Sequence, residues 1–400
     1  MDHTAPSAAL RASLPLPLLS AIAALPPLAV DMYLPAMPQI AGDFHTSLNT
    51  IQNSLSIFLL GFGLGMLFWG PMADKYGRRP LALFGLAAFG IVSLLLTLSG
   101  SAIQFLTLRL LQGLLGSAAT VTVPAMIRDC FGKDTAKGMS TVQIIMLIAP
   151  LIAPVIGSTL LALGPWQYLF AFLTLYPAVL VTIVWRVLPE TKAPAQTAIT
   201  HSPLRNYQLI FGNHRIYWDL FTYVCIALAW FTYITGVSFI YITWFGVSET
   251  VFGYLFACSA AALVIANLTN RRFVSHKGPR WMQQRSLAGA VVIALLIAVG
   301  TWLKMNVALT VFGFFCLVGC LGITWVNTDA LILIEFPHHA GSAAGVIGTT
   351  RFGVGALAGP VLAWIYTGTI LPVMTFIFVM IAGACVLQAV RYFVFFKKSE

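Results

Sequence analysis

Apolar runs of about 20 residues recur along the whole chain, separated by short clusters of proline, glycine and charge, and each run is long enough to cross about 30 Å of hydrocarbon as a helix. Twelve such helices are predicted, at about residues 14–37, 50–72, 80–100, 102–127, 137–162, 167–188, 216–243, 250–270, 285–303, 307–333, 341–367 and 371–396. The longest polar interval, Arg186 to Arg215, contains Pro189, Pro194 and Pro203, and it divides the chain into residues 1–188, a linker 189–215 and residues 216–400. The run from Leu14 has no cleavage site of small residues and continues into Asp31 and Pro35, so it is read as a retained first helix. The expected fold class is an all-α membrane protein of two pseudo-symmetric six-helix bundles. In such parallel repeats the substrate site lies near the midplane.

Composition agrees: 59% hydrophobic residues, 8% charged residues and a mean hydropathy of +0.89 exclude a water-soluble surface. With so few charges, the net +10 points to basic loops against an anionic leaflet and away from nucleic acid. With the amino terminus inside, all 22 basic residues except Arg109, Arg351 and Lys304 fall on the cytoplasmic side, and only Lys304 falls in an outer loop. Both termini are therefore expected in the cytoplasm. The six cysteines lie in apolar segments without metal-ligand or disulfide spacing. No phosphate-binding loop, metal cluster or activated nucleophile is evident in the sequence, so neither an enzyme nor a cofactor is expected.

An ionisable group inside the bilayer needs a partner or a function. Asp31 lies about 25 Å from the inner edge and Arg109 about 10 Å from the outer edge, so their depths agree to within a turn and a contact between them is geometrically possible. Two readings follow, a proton-coupling pair or a static ion pair fixing the first helix to the fourth, and Pro26, Pro27 and Pro35 favour the first by bending that helix. Arg351 lies about 15 Å deep, with Asp329 its closest counter-charge by depth. Asp219 opens the seventh helix, where the helix dipole alone accounts for it. Trp230, Tyr233, Val237, Tyr241 and Trp244 share one face of that helix, either as a cavity wall or, for Tyr241 and Trp244, as an aromatic belt at the lipid boundary.

The segment Gly70-Pro71-Met72-Ala73-Asp74-Lys75-Tyr76-Gly77-Arg78-Arg79-Pro80 is expected as a charged loop between the second and third helices, with a weaker echo at Asn270–Arg280. It reads either as a latch, with Asp74 capping a helix start and Arg78 pairing with Asp129, or as a basic turn that only sets topology.

Gly70–Arg79 resembles the signature loop of the major facilitator superfamily. Arg109-Leu110-Leu111-Gln112-Gly113 resembles the basic motif of its drug/proton antiporters, and Ala153-Pro154-Val155-Ile156-Gly157 resembles their fifth-helix motif, with Ala153 in place of the usual glycine. Asp31-Met32-Tyr33-Leu34-Pro35-Ala36, Glu335-Phe336-Pro337-His338 and Arg351-Phe352-Gly353 are similar to the Bcr/CflA branch, the bicyclomycin and chloramphenicol resistance transporters. The resemblance covers essentially the whole chain and implies the major facilitator fold, a monomer, and proton-coupled export of small amphiphilic compounds by alternating access. It implies proton coupling at Asp31 and Arg109, with substrate contacts at Asp31, Tyr33, Arg109, Gln112, Trp230 and Tyr233. Gating is implied at Gly70, Asp74, Gly77, Arg78, Asp129, Pro154, Gly157 and Arg351. Ala23 and Ala24 stand where some relatives carry a second acid, which favours neutral or zwitterionic cargo. A metabolite exporter, for instance of an amino acid such as cysteine, or a proton-coupled importer would use the same site.

Overall fold

The computed structural model describes residues 15–131, 135–191, 210–336 and 340–396, with some helical side chains, Asp74 and Arg128 among them, outside the description. Among the described residues there is no strand, one short helical piece at 210–212 and twelve long helical stretches. They are α1 Leu16–Asp43, α2 Leu48–Tyr76, α3 Arg78–Thr97, α4 spanning 102–131 as Ala102–Thr120 and Thr122–Phe131, α5 Thr135–Leu163 and α6 Gln167–Val187. After the linker come α7 Ile216–Trp244, α8 Glu249–Lys277, α9 Pro279–Trp302, α10 Val307–Glu335, α11 spanning 340–365 as Ala340–Gly355 and Ala358–Ile365, and α12 Leu371–Phe396. Among the described residues eleven helices are long and apolar enough to cross a membrane, and within α5 the described apolar stretch is the shorter Ile148–Leu163. The chain forms two compact units, Met1–Thr200 and His201–Glu400.

Local chemistry explains the boundaries. Ser47, Ser101, Ser248 and Asn306 precede α2, α4, α8 and α10, and each side chain accepts the N–H three residues on, a cap that satisfies one of the helix's orphan donors. In α1, the prolines at 26, 27, 35 and 38 cannot continue the backbone ladder, and the helix divides into Leu16–Ala23, Leu25–Asp31, a 3₁₀ turn Leu34–Ala36 and Met37–Asp43. The last turn of α7, Phe239–Trp244, is π-helical.

The charged segment at 70–80 is not a loop. Helix α2 continues through Gly70 and Pro71 to Tyr76, and Gly77 alone joins it to α3 with φ 102°. Gly278 joins α8 to α9 in the same conformation, φ 78°, which side chains other than glycine rarely adopt. The sequence echo between the two segments is thus an echo of single-residue joints. Within the first unit, α2 and α4 touch through glycine: a Cβ on Gly61 would strike the Leu110 carbonyl, and one on Gly113 the Phe58 carbonyl.

Candidate functional site

The deepest charges of the first unit gather where α1 breaks. Asp31 ends the Leu25–Asp31 segment at 5% exposure, and its carboxylate makes no hydrogen bond or ion pair among the described residues. Arg109 of α4 is fully buried. The expected Asp31–Arg109 ion pair is not formed. Instead the guanidinium donates to Gln112 Oε1 at 2.5 Å and to the Ala29 carbonyl at 3.1 Å, and it lies 4.4 Å from the ring centres of both Tyr33 and Phe58. The physical reason is the break itself. Chain turning after Asp31 exposes the Ala29 carbonyl to Arg109 and brings Tyr33 onto the guanidinium, so a dipole and two π-faces hold the cation.

Each of these partners is fixed in turn. Gln112 is fully buried and donates to Ser93 Oγ at 2.8 Å, which donates to Phe89 O at 2.7 Å. The Tyr33 hydroxyl shares a 3.0 Å hydrogen bond with Ser54 Oγ, and its ring lies 6.2 Å from Phe170. Phe170 belongs to a cluster with Phe105 and Trp166, whose indole donates to Asp43 Oδ2 at 2.8 Å. Tyr33 and Gln112, expected as substrate contacts, therefore commit their polar atoms to Arg109 and its neighbours. On the other side of the break, α5 lays Gly157 against the Met32 carbonyl, where a Cβ would clash, with Pro154 buried one turn earlier. Four helices thus meet one irregular stretch of α1.

In the second unit, Arg351 of α11 donates to Asp329 Oδ2 at 3.0 Å and to the Tyr223 hydroxyl at 2.9 Å, and it lies 4.7 Å from the Trp325 ring. Depth along the helices points to that partner. The aromatic face of α7 turns inward: Tyr233 is 2% exposed, its ring tilted against Phe314 at 4.5 Å and parallel to Phe256 at 6.2 Å. Trp230 is half-buried, 6.0 Å from Trp325. Tyr241 is buried as well, leaving only Trp244 exposed in the manner of a belt residue. A cavity wall at Tyr233 is closed by this packing.

Asp219 requires the largest correction, because the helix dipole is not its main partner. It is 4% exposed, and Arg280 grips both of its oxygens at 2.5 and 2.9 Å while Arg391 donates to Oδ2. Gln283 and Gln388 complete the shell. None of these residues was singled out from the sequence except Arg280. Gln388, an amide within the apolar α12, is the signal that marks the network.

At the Gly77 joint, Arg78 donates to Asp129 Oδ2 at 3.1 Å, and Thr191 donates to the same oxygen at 3.4 Å. Glu190, just past the end of α6, accepts the Arg78 and Arg79 backbone N–H groups at 3.0 and 3.1 Å and so caps α3. A Cβ on Gly77 would meet that carboxylate. Sequence reading placed Glu190 in the linker, although an acid directly after Pro189 at a helix end is the cue for a cap. Gly70 lies in α2 near Val121, and the side chain of Asp74, the expected capping acid, is outside the described residues.

Multi-pass apolar helices in two units, with α1 broken beside Asp31 and ionisable groups buried on α4 and α7, are the features of a membrane transporter. The sequence model of the Major Facilitator Superfamily matches residues 19–360, and the chain belongs to that family. It is 32% identical over 94% of both chains to a bicyclomycin resistance protein homolog of Haemophilus influenzae. A chloramphenicol resistance protein of Pseudomonas aeruginosa is 30% identical over 82% of this chain and 78% of its own. The solved D-xylose–proton symporter covers 93% of this chain and 96% of its own at 13% identity and a TM-score of 0.78, and so shares its fold.

Proposed function

We propose that the protein is a proton-coupled exporter of small amphiphilic compounds, bicyclomycin- or chloramphenicol-like, in a bacterial inner membrane with both termini in the cytoplasm. The observation that carries this reading is Asp31: a carboxylate at 5% exposure, without a hydrogen bond or ion pair among the described residues, at the end of a helical segment. A buried acid with no fixed counter-charge changes the local charge by one unit each time it binds or releases a proton. The resistance proteins similar over most of the chain support the cargo class, and the basic loops support the orientation.

Coupling follows from what the α1 break touches. Met32 packs on Gly157 and Tyr33 on Arg109, so a change of charge at the adjacent Asp31 acts on α4 and α5 through one irregular stretch. Arg109 is the fixed cation of this arrangement, and Asp31 is the group that titrates. An external proton binds Asp31 as the substrate leaves, and its release inside readies the site for the next one. Each charge carried across supplies about 2.3 kcal/mol per 100 mV, plus about 1.4 kcal/mol per pH unit. No cofactor takes part. Proteoliposomes loaded with chloramphenicol and energised by a pH gradient provide the test. Wild type should export, Asp31→Asn should not, and proton-driven export by the variant at the wild-type rate refutes the assignment.

A further inference from the structure

Thr232, Thr235 and Ser238 of α7 are each 0% exposed, and their hydroxyl oxygens have no hydrogen-bond partner among the described residues. A serine or threonine inside a helix ordinarily donates to the carbonyl four residues back. Thr222 of the same helix does so, at 2.8 Å, as do Ser93, Thr174, Thr324 and Thr328 elsewhere. The buried serine and threonine hydroxyls that lack a partner among the described residues are Thr232, Thr235, Ser238 and Thr301, so three of the four share one helix within two turns.

Their spacing puts them on one surface. At about 100° per residue, steps of three fall about 60° apart, so the three hydroxyls cover a strip of roughly 120°. That strip lies on the side of α7 away from Trp230 and Tyr233, whose rings pack among Trp325, Phe256 and Phe314. Directly after Ser238 the helix widens into the π turn Phe239–Trp244, an irregularity that recurs at functional positions. A buried hydroxyl without a partner carries its desolvation penalty uncompensated. Three in a row imply a surface that is satisfied in another state of the protein.

We propose that Thr232, Thr235 and Ser238 form a binding strip for an uncharged solute rich in hydroxyl, carbonyl or amide groups, buried in this structure. Each hydroxyl both donates and accepts, and none carries charge, so the strip matches neutral polar groups and offers no counter-charge to a cation. The proposal rests on the export reading and names the chemistry of its cargo.

The test uses the full-length purified protein and the triple variant Thr232→Val, Thr235→Val, Ser238→Ala, which keeps nearly the same shape and removes only the hydroxyls. Chloramphenicol, uncharged and bearing hydroxyls and an amide, is the binding probe, and tetraphenylphosphonium, a cation without such groups, is the control. The variant should bind chloramphenicol about tenfold more weakly, the loss of roughly one hydrogen bond, with the control unchanged. Its melting temperature should rise, because the unpartnered hydroxyls are gone. Equal chloramphenicol affinity in the two proteins, or a fall in melting temperature, overturns the proposal. Failure of the export reading would appear differently, as wild-type proteoliposomes that bind chloramphenicol but do not move it under a proton gradient.

Discussion

Asp31 and Asp219 stand on the first helix of their respective units and are buried almost equally, at 5% and 4% exposure. Around Asp219 the chain assembles two arginines and two glutamines, whereas Asp31 has no partner among the described residues. The arginines repeat the contrast: Arg109 is held by a carbonyl, an amide and two rings, and Arg351 by a carboxylate. The first unit thus keeps Asp31 and Arg109 apart, although Arg78 and Asp129 pair at its Gly77 joint, and the second neutralises Asp219 and Arg351 against partners. Charge that is compensated in place stabilises one arrangement, while charge without a fixed partner is free to change with protonation. Burial alone therefore does not mark a coupling residue. What surrounds the buried group does.

The largest effect that sharpens this contrast is on stability. Replacing one member of a buried ion pair leaves its partner's charge without compensation, at a cost of about 3–5 kcal/mol. Asp219→Asn should lower thermal stability by about that much, since two arginines lose their counter-charge. Asp31→Asn should leave stability unchanged or raise it, because asparagine is neutral and no partner is stranded. Melting curves of both variants in one detergent measure the difference. A large loss for Asp31→Asn would mean that its carboxylate is compensated after all.

A smaller effect concerns Arg109. Lysine keeps the charge but replaces a flat, forked group by a point charge that cannot reach Gln112 and Ala29 together while lying against Tyr33 and Phe58. Cation–π contacts in a desolvated setting are worth up to about 2 kcal/mol each, so Arg109→Lys should reduce export about tenfold or more with little change in expression. Initial export rates from energised vesicles decide it. Full activity in the lysine variant would show that charge alone matters at this position.

The sequence carried some of this in readable form and hid the rest. Helix number and extent follow from apolar runs of bilayer length, a signal that needs no tertiary information. Depth along a helix is also one-dimensional, which is why Asp329 could be matched to Arg351. Depth says nothing about azimuth, and that is where the Asp31–Arg109 expectation failed: the proline-driven break rotates the chain between Ala29 and Tyr33, and Arg109 meets the carbonyl and the ring. The seventh helix misled for a related reason. Its aromatic stripe has the period of a face, and period cannot tell whether that face lines a cavity or the unit's own core. Gly77 and Gly278 look like loop residues in sequence because a positive φ and a long loop leave the same mark, a glycine beside charge.

The smallest effect is expected at Arg351 and Asp329, and it bears most directly on the contrast between the units. Their side chains are 32% and 26% exposed, so neither charge is as fully enclosed as Asp219 and their coupling should be modest, about 1 kcal/mol. Arg351 also keeps the Tyr223 hydroxyl and the Trp325 ring when Asp329 is removed. A double-mutant cycle with Arg351→Gln and Asp329→Asn, read by thermal unfolding, isolates the pairwise energy from those other contacts. A coupling near 1 kcal/mol would place the pair between the full compensation at Asp219 and the absence of it at Asp31. A coupling above about 3 kcal/mol would make it a second buried network and tie the stability of the second unit to two ionic centres. Export should then fall with either single substitution, and the difference between a unit that titrates and a unit that holds would rest on Asp31 alone.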